Sequence, residues 1–247
     1  MANKISKKLA IIVLISVIGL QVQVHPVIGQ IPDNTQVSYN VWNLLQWNNQ
    51  SDVQWYSKGL FIHAQSGSQI TYNITSSTDN ATNPNSGLFS IGNVSNLETD
   101  NYDLANQFTL SIYPWLPGFV ANPNHWSDYE TQAKDAASTL NGTIDVSQGI
   151  ANASNDIFRT SYRFVFNQTP PDGNQNTTLI YDHDTGVLIY AYTEFYFGSL
   201  YIMEVELSSS TLVTGSNYQQ TPGFTLAIPI VLLITLGVLK KKKILFK

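Results

Sequence analysis

Between Tyr181 and Gly186 the chain reads Tyr-Asp-His-Asp-Thr-Gly, two carboxylates and an imidazole in three consecutive residues. A calcium loop of the helix-loop-helix kind needs a further ligand at its fifth position and a bidentate glutamate at its twelfth. Counted from Asp182, Gly186 and Thr193 stand there instead. Turn chemistry accounts for the stretch: Asp182 or Asp184 accepts backbone N–H groups, and Gly186 takes the left-handed position of a hairpin with a bulge. Beyond His25 the histidines are His63, His125 and His183, with no His-x-x-x-His pair and no cysteine in the chain. A zinc site would therefore have to be assembled from distant residues. The Gly-x-Ser-x-Gly nucleophile motif and phosphate-cradling glycine loops are absent from the sequence. Glu194, Glu204 and Glu206 are the acids a two-carboxylate hydrolase would draw on. The same three make a solvated acidic strand face without any catalysis, and the expectation is a protein that is not an enzyme, with no cofactor, no metal and no catalytic residue.

Aromatic residues are the other surplus. Tyr181, Tyr190, Tyr192 and Tyr196, with Trp42, Trp47 and Trp55, exceed what one side of a small sheet has to bury. They are either core and cross-strand pairs or a platform that holds a lipid tail or a glycan.

The elements that must position these groups follow from periodicity. Alternating apolar residues run through Gln36 to Leu44, Asp52 to Ala64, Ser68 to Thr75, Asn106 to Tyr113, Asp156 to Phe166, Thr177 to Phe197 and Leu200 to Leu207, each bounded by Gly, Pro, Asn or Ser. That is the strand signature. In the last run Tyr201, Met203, Val205 and Leu207 share one face and Glu204 and Glu206 the other, and Gly198-Ser199 suits a two-residue hairpin turn. One helix interrupts the strands near 127–140, with Ser127 and Glu130 as a capping box and Asn141-Gly142 as its stop. Its apolar stripe, Tyr129, Ala133, Ala136, Ala137 and Leu140, is mostly small and allows close approach to a sheet. The spacing predicts a mainly β (α+β) domain, a curved antiparallel sheet or half-barrel packing on one central helix. The Pro117-Gly118-Phe119 stretch ahead of the helix reads as a surface turn.

Charge sorts the chain into zones. All seventeen acidic residues lie between Asp33 and Glu206, while residues 31–222 hold four basic ones, a formal charge of −13. Such a body repels nucleic acid phosphates, and nucleic acid is excluded as a partner. The N-terminus has the order of a secretory signal over 1–29: a basic start with Lys4, Lys7 and Lys8, an apolar run from Leu9 to Leu20, then a polar exit at Gly29. That run spans roughly 18 Å as a helix, short of the ~30 Å hydrocarbon core. At the other end, 224–239 is an uncharged apolar run expected to cross the membrane, followed by a basic tail over 240–247. Lys240, Lys241, Lys242 and Lys243 place that tail on the cytoplasmic side, and hence a β-rich domain over 30–216 and a stalk over 217–223 outside.

The order Pro222-Gly223-Phe224, apolar span, basic cluster resembles the PGF-CTERM class of archaeal sorting signals, read by membrane proteases of the archaeosortase type. The resemblance implies processing beside Pro222, Gly223 and Phe224, with the protein helix exchanged for a lipid. The stretch from Asn174 to Tyr201 resembles the choice-of-anchor S proteins of archaeal surfaces, a group that implies a location and no reaction. Eight Asn-x-Ser/Thr sequons, at Asn49, Asn73, Asn80, Asn93, Asn141, Asn152, Asn167 and Asn176, all fall in the outward segment and are candidate N-glycosylation sites. Without cysteine the domain has no disulfides and rests on its core. The expectation is a membrane-anchored extracellular envelope glycoprotein with a structural, adhesive or interaction role, its partners being the membrane and other envelope proteins or glycans. The alternative is a carrier or receptor that binds a hydrophobic or glycan ligand on the concave face of its sheet.

Overall fold

A computed structural model describes residues 31–46, 52–57, 60–100, 103, 117–154, 156–170, 173–196 and 198–215. The signal segment, Asn49, the stalk with Pro222, Gly223 and Phe224, the apolar span and Lys240 to Lys243 lie outside the described residues, as does the run from Asn106 to Tyr113. Among the described residues no helix is long and apolar enough to cross a membrane.

The chain is mainly β. In order it forms β1 (Gln36–Gln46), β2 (Asp52–Ser57), β3 (Leu60–Gln65), β4 (Gln69–Ser77), β5 (Asn85–Ile91), β6 (Val94–Asp100), a 3-10 turn (Pro123–His125), α1 (Trp126–Thr139), β7 (Thr143–Asn152), β8 (Phe158–Gln168), β9 (Gln175–Asp182), β10 (Leu188–Tyr196) and β11 (Leu200–Ser210). Nine strands make one antiparallel sheet in the order β6-β5-β4-β1-β11-β10-β9-β8-β7, and β2 with β3 forms a separate hairpin. The first and last strands meet mid-sheet, Val37 opposite Ser210 and Gln46 opposite Tyr201. The chain therefore enters and leaves the sheet at one end.

Alternation along each strand gives the sheet a covered face and an open one. Tyr39, Val41, Ile70, Tyr72, Ile74, Phe89, Phe164, Phe166, Leu179, Tyr181, Met203, Val205 and Leu207 are buried on the covered face. Against them lie α1, through Trp126, Tyr129, Ala133, Ala136 and Ala137, and the segment 117–123, every residue of which is buried. Trp126 stacks on Tyr162 of β8, centroids 4.8 Å apart. The small-residue stripe thus faces the sheet as its spacing predicts.

Pro117-Gly118-Phe119 is not a surface turn. Gly118 does take a left-handed φ of 61°, but Phe119 is fully buried, its ring 5.0 Å from that of Tyr39 and 6.3 Å from that of Phe89. Burying one such ring stabilises the fold by about 1.5–3 kcal/mol, and the flanking polar groups find partners inside. Tyr39 donates to the Phe119 carbonyl at 3.0 Å, Tyr181 to that of Gly118 at 2.7 Å, and Asn85 Nδ2 to that of Val120 at 2.9 Å. The Leu188 amide also donates to Phe119, and the Ala121 amide donates to Gly186. A strap in a turn-rich sequence is thereby held as core.

Local signals are corrected in detail. Ser127 is not the N-cap: α1 begins at Trp126 after the 3-10 turn, whose cap is Asn122, accepting from the Asn124 amide at 3.0 Å. Pro123 starts the turn earlier than the capping box would. Asn141, at a φ of 52°, stops the helix, and the Gly142 amide returns to the Ala137 carbonyl at 2.8 Å. Tyr196 pairs with Leu200, so the β10–β11 hairpin has a three-residue connection rather than two.

Candidate functional site

The open face of β1, β11 and β10 carries Glu194, Glu204 and Glu206 with Trp42, Tyr190, Tyr192 and Tyr196, whereas Tyr181 is buried on the covered face, and Trp47 and the Trp55 side chain lie outside the described residues. Cross-strand register sets Tyr190 opposite Glu206 and Tyr192 opposite Glu204. The β1 register slips between Val41 and Asn43, which puts Trp42 on a bulge beside these glutamates. Each carboxylate then receives one aromatic donor. Trp42 Nε1 donates to Glu206 at 2.8 Å, Tyr190 Oη to Glu204 at 2.8 Å, and Tyr192 Oη to Glu194 at 2.6 Å. Among the described residues no lysine or arginine forms an ion pair with these three acids.

Burial and the Glu204 carboxylate push the Tyr190 hydroxyl above its ordinary value. Burial and the Glu194 carboxylate push Tyr192 up to about 12. Both phenols stay protonated at neutral pH and act as donors. Trp42 (59% exposed) and Tyr196 (53% exposed) present their rings to solvent. The surface is a row of rings and hydrogen-bond acceptors, suited to stacking on a flat ligand face and accepting its hydroxyl or ammonium protons. The acids were legible in the sequence; their pairing with aromatic donors was not, because Tyr190 reaches diagonally to Glu204 on the neighbouring strand while Tyr192 turns along its own strand to Glu194.

The Tyr181–Gly186 turn is structural. Asp182 is fully buried and accepts from the Asp184 amide at 3.1 Å, the Thr185 amide at 2.7 Å and the Thr185 hydroxyl at 2.8 Å. Arg159 grips the same carboxylate through Nε and Nη2, and its Nη1 donates to the Gly215 carbonyl at 2.8 Å. Gly186 has a φ of 72°, and a Cβ there would stand 1.9 Å from the Ala121 carbonyl oxygen. Only glycine lets the strap pass. The sequence showed the turn, and nothing near it in the chain announced Arg159.

The three histidines are scattered. His125 bridges Asp128 (Nδ1, 2.6 Å) and Asp79 (Nε2, 2.9 Å), tying α1 to the β4–β5 loop. His183 lies beside the Trp126–Tyr162 stack, its ring 5.7 Å from that of Tyr162 and 6.2 Å from that of Trp126, and the His63 amide donates to Asn93. Among the described residues no group of three or more His, Cys, Asp or Glu side chains is placed to hold a metal ion.

The sequons divide by accessibility. Asn80, Asn141, Asn152, Asn167 and Asn176 are exposed and Asn73 is half-buried within β4. Asn93 is exposed, yet both ends of its amide are engaged: Oδ1 accepts from the His63 amide at 2.8 Å and Nδ2 donates to the Phe61 carbonyl at 3.1 Å. No family model, curated protein or solved structure matches this chain.

Proposed function

We propose that this protein is a membrane-anchored extracellular envelope glycoprotein that makes contacts through the open face of its sheet and performs no catalysis. The observation that carries the reading is the division of labour between the faces. Tyr39, Tyr181 and Phe119 pack the covered face against the strap, while Trp42, Tyr190, Tyr192 and Tyr196 face outward among carboxylates. A carrier that enclosed a hydrophobic ligand between the sheet and its cover would have to displace the strap and α1, which fill that face. A glycan or a cationic group suits the open face better.

The direction of the chain supports display. Ile31 and Gly215 lie at the end of the sheet where Gln36 and Ser210 sit, and Arg159 clamps Gly215 there. Few residues separate Gly215 from the Pro222-Gly223-Phe224 signal, so that end is membrane-proximal in this reading. Asn141, Asn167 and Asn176 cluster at the opposite end, near the β8–β9 hairpin. Sugars there would project away from the membrane.

The test is the intact mass of protein extracted from its native membrane, combined with protease treatment of whole cells. A mass ending near Pro222 with an added lipid supports sorting, and a mass retaining Lys247 supports a single-pass anchor. A domain protected from protease on intact cells would sink the extracellular reading altogether.

A further inference from the structure

Asn167 near the end of β8 and Asn176 near the start of β9 each begin a sequon, Asn-Gln-Thr and Asn-Thr-Thr. They belong to separate strands, yet the register sets Asn167 directly opposite Asn176. Both side chains are exposed on the open face, because their neighbours Phe166 and Thr177 are buried on the covered one. Directly opposed residues in an antiparallel pair hold their Cβ atoms roughly 4.5–5.5 Å apart. The row is closed on both flanks, with Thr143 opposite Asn167 and Glu194 opposite Asn176.

We propose that Asn167 and Asn176 form a single glycosylation site with two acceptors, of which each molecule uses one. This rests on the extracellular reading above. Transfer joins the asparagine Nδ2 to the anomeric carbon of a sugar while the bond from that carbon to the phosphate of a lipid-linked donor breaks. The amide gives up one proton, which the leaving phosphate takes. The ring installed on either asparagine, with its exocyclic groups, is wider than the gap to the opposing amide. It covers the second Nδ2 from the face by which a transferase must approach, and backbone pairing fixes the direction of both Cα–Cβ bonds, so neither asparagine can leave that face.

Other sequons escape this constraint. Asn141 sits past the helix end at a positive φ and Asn152 at the end of an edge strand. Their acceptors have no sequon asparagine opposite them in the sheet, Asn152 facing Phe158.

The chain itself supplies a clean readout. No lysine or arginine lies between Arg163 and Lys240, so trypsin releases Asn167 and Asn176 in one peptide that contains no other sequon. Applied to full-length protein from its native membrane, intact-peptide mass spectrometry counts the glycans on that peptide directly. The expected result is one glycan, distributed between the two asparagines, with the doubly modified species missing. In Asn176→Gln the glycan moves wholly to Asn167, and in Asn167→Gln wholly to Asn176. A substantial doubly glycosylated population overturns the proposal, as does a bare peptide from protein that protease reaches on intact cells. A bare peptide from protein that protease does not reach overturns the extracellular reading with it.

Discussion

On the covered face the hydroxyls of Tyr39 and Tyr181 donate to the backbone carbonyls of Phe119 and Gly118. On the open face those of Tyr190 and Tyr192 donate to the carboxylates of Glu204 and Glu194. The donor is the same, but the acceptor and its alternatives differ. A strap carbonyl inside the core has no water to turn to, so its bond completes the pairing of buried backbone groups and carries stability. A half-exposed carboxylate can return to water, so its bond orders a surface and contributes little to folding. One sheet thus holds a structural face and a presenting face, distinguished by which acceptors are cut off from solvent.

The comparison is most strongly tested at the seam, where Asp182 ties the turn to Arg159 and, through Arg159, to Gly215. Asp182→Asn takes from the largely buried Arg159 guanidinium its closest countercharge and leaves only Asp184, 3.9 Å away, so the cost should lie toward the lower end of roughly 3–5 kcal/mol. Denaturant midpoints of the purified full chain measure it. A cost no larger than that of an ordinary surface change would break the view that the seam holds both faces in place.

A smaller effect sharpens the covered face itself. Tyr39→Phe removes a bonded hydroxyl and should cost about 1 kcal/mol. Tyr72 is also buried, yet among the described residues its hydroxyl has no partner. Tyr72→Phe should therefore be neutral or mildly stabilising in the same unfolding experiment. Equal losses at the two positions would show that burial of the ring, and not the bond to the strap, sets the cost.

The smallest effect lies at the rim, where His125 joins α1 to the β4–β5 loop. Hydrogen bonds to Asp128 and then Asp79 raise the His125 pKa against its partial burial, and the bond from His125 holds the Asp79 carboxyl below its ordinary value. A raised histidine stabilises the fold fully below its unfolded pKa and loses that contribution as pH rises through the folded one. A lowered carboxyl contributes above its unfolded pKa and loses it as pH falls through the folded one. The contact is strongest between the two, from mildly acidic to near-neutral pH. An NMR titration of the His125 ring should show the upward shift, and Asp79→Asn together with Asp128→Asn should return it toward ordinary values.

Several elements were legible because their signals are local. β1, β4, β8, β9, β10 and β11 follow the period-two runs, and α1 follows its alanine stripe. β5, β6 and β7 were not legible: Asn-Ser-Gly-Leu-Phe-Ser-Ile, Val-Ser-Asn-Leu-Glu-Thr-Asp and Thr-Ile-Asp-Val-Ser-Gln-Gly-Ile-Ala-Asn are short on alternating apolar residues. They become strands because a neighbour offers a ladder, and two of them lie at the sheet edges, where one side stays wet. The run from Asp52 to Ala64 looked continuous and is a hairpin, with Ser57 paired to Leu60 and Asp52 to Gln65. Pro117-Gly118-Phe119 carried the right turn and the wrong depth, because φ preferences are local and burial is not.

The sequence by itself determined that the region between its two apolar ends is β-rich with a helix near 127–140, that Gly118 and Gly186 stand at left-handed positions, and that acids and aromatics alternate along its last strands. Those properties depend on backbone preference and on the side-chain period of two, both of which act between near neighbours. Only the tertiary structure decided which face is covered, that the strap lies inside, that Arg159 meets Asp182, and that Asn167 stands across from Asn176. Each of these is a relation between residues far apart in the chain, set by register and by competition for the same buried space, and no local pattern encodes the winner.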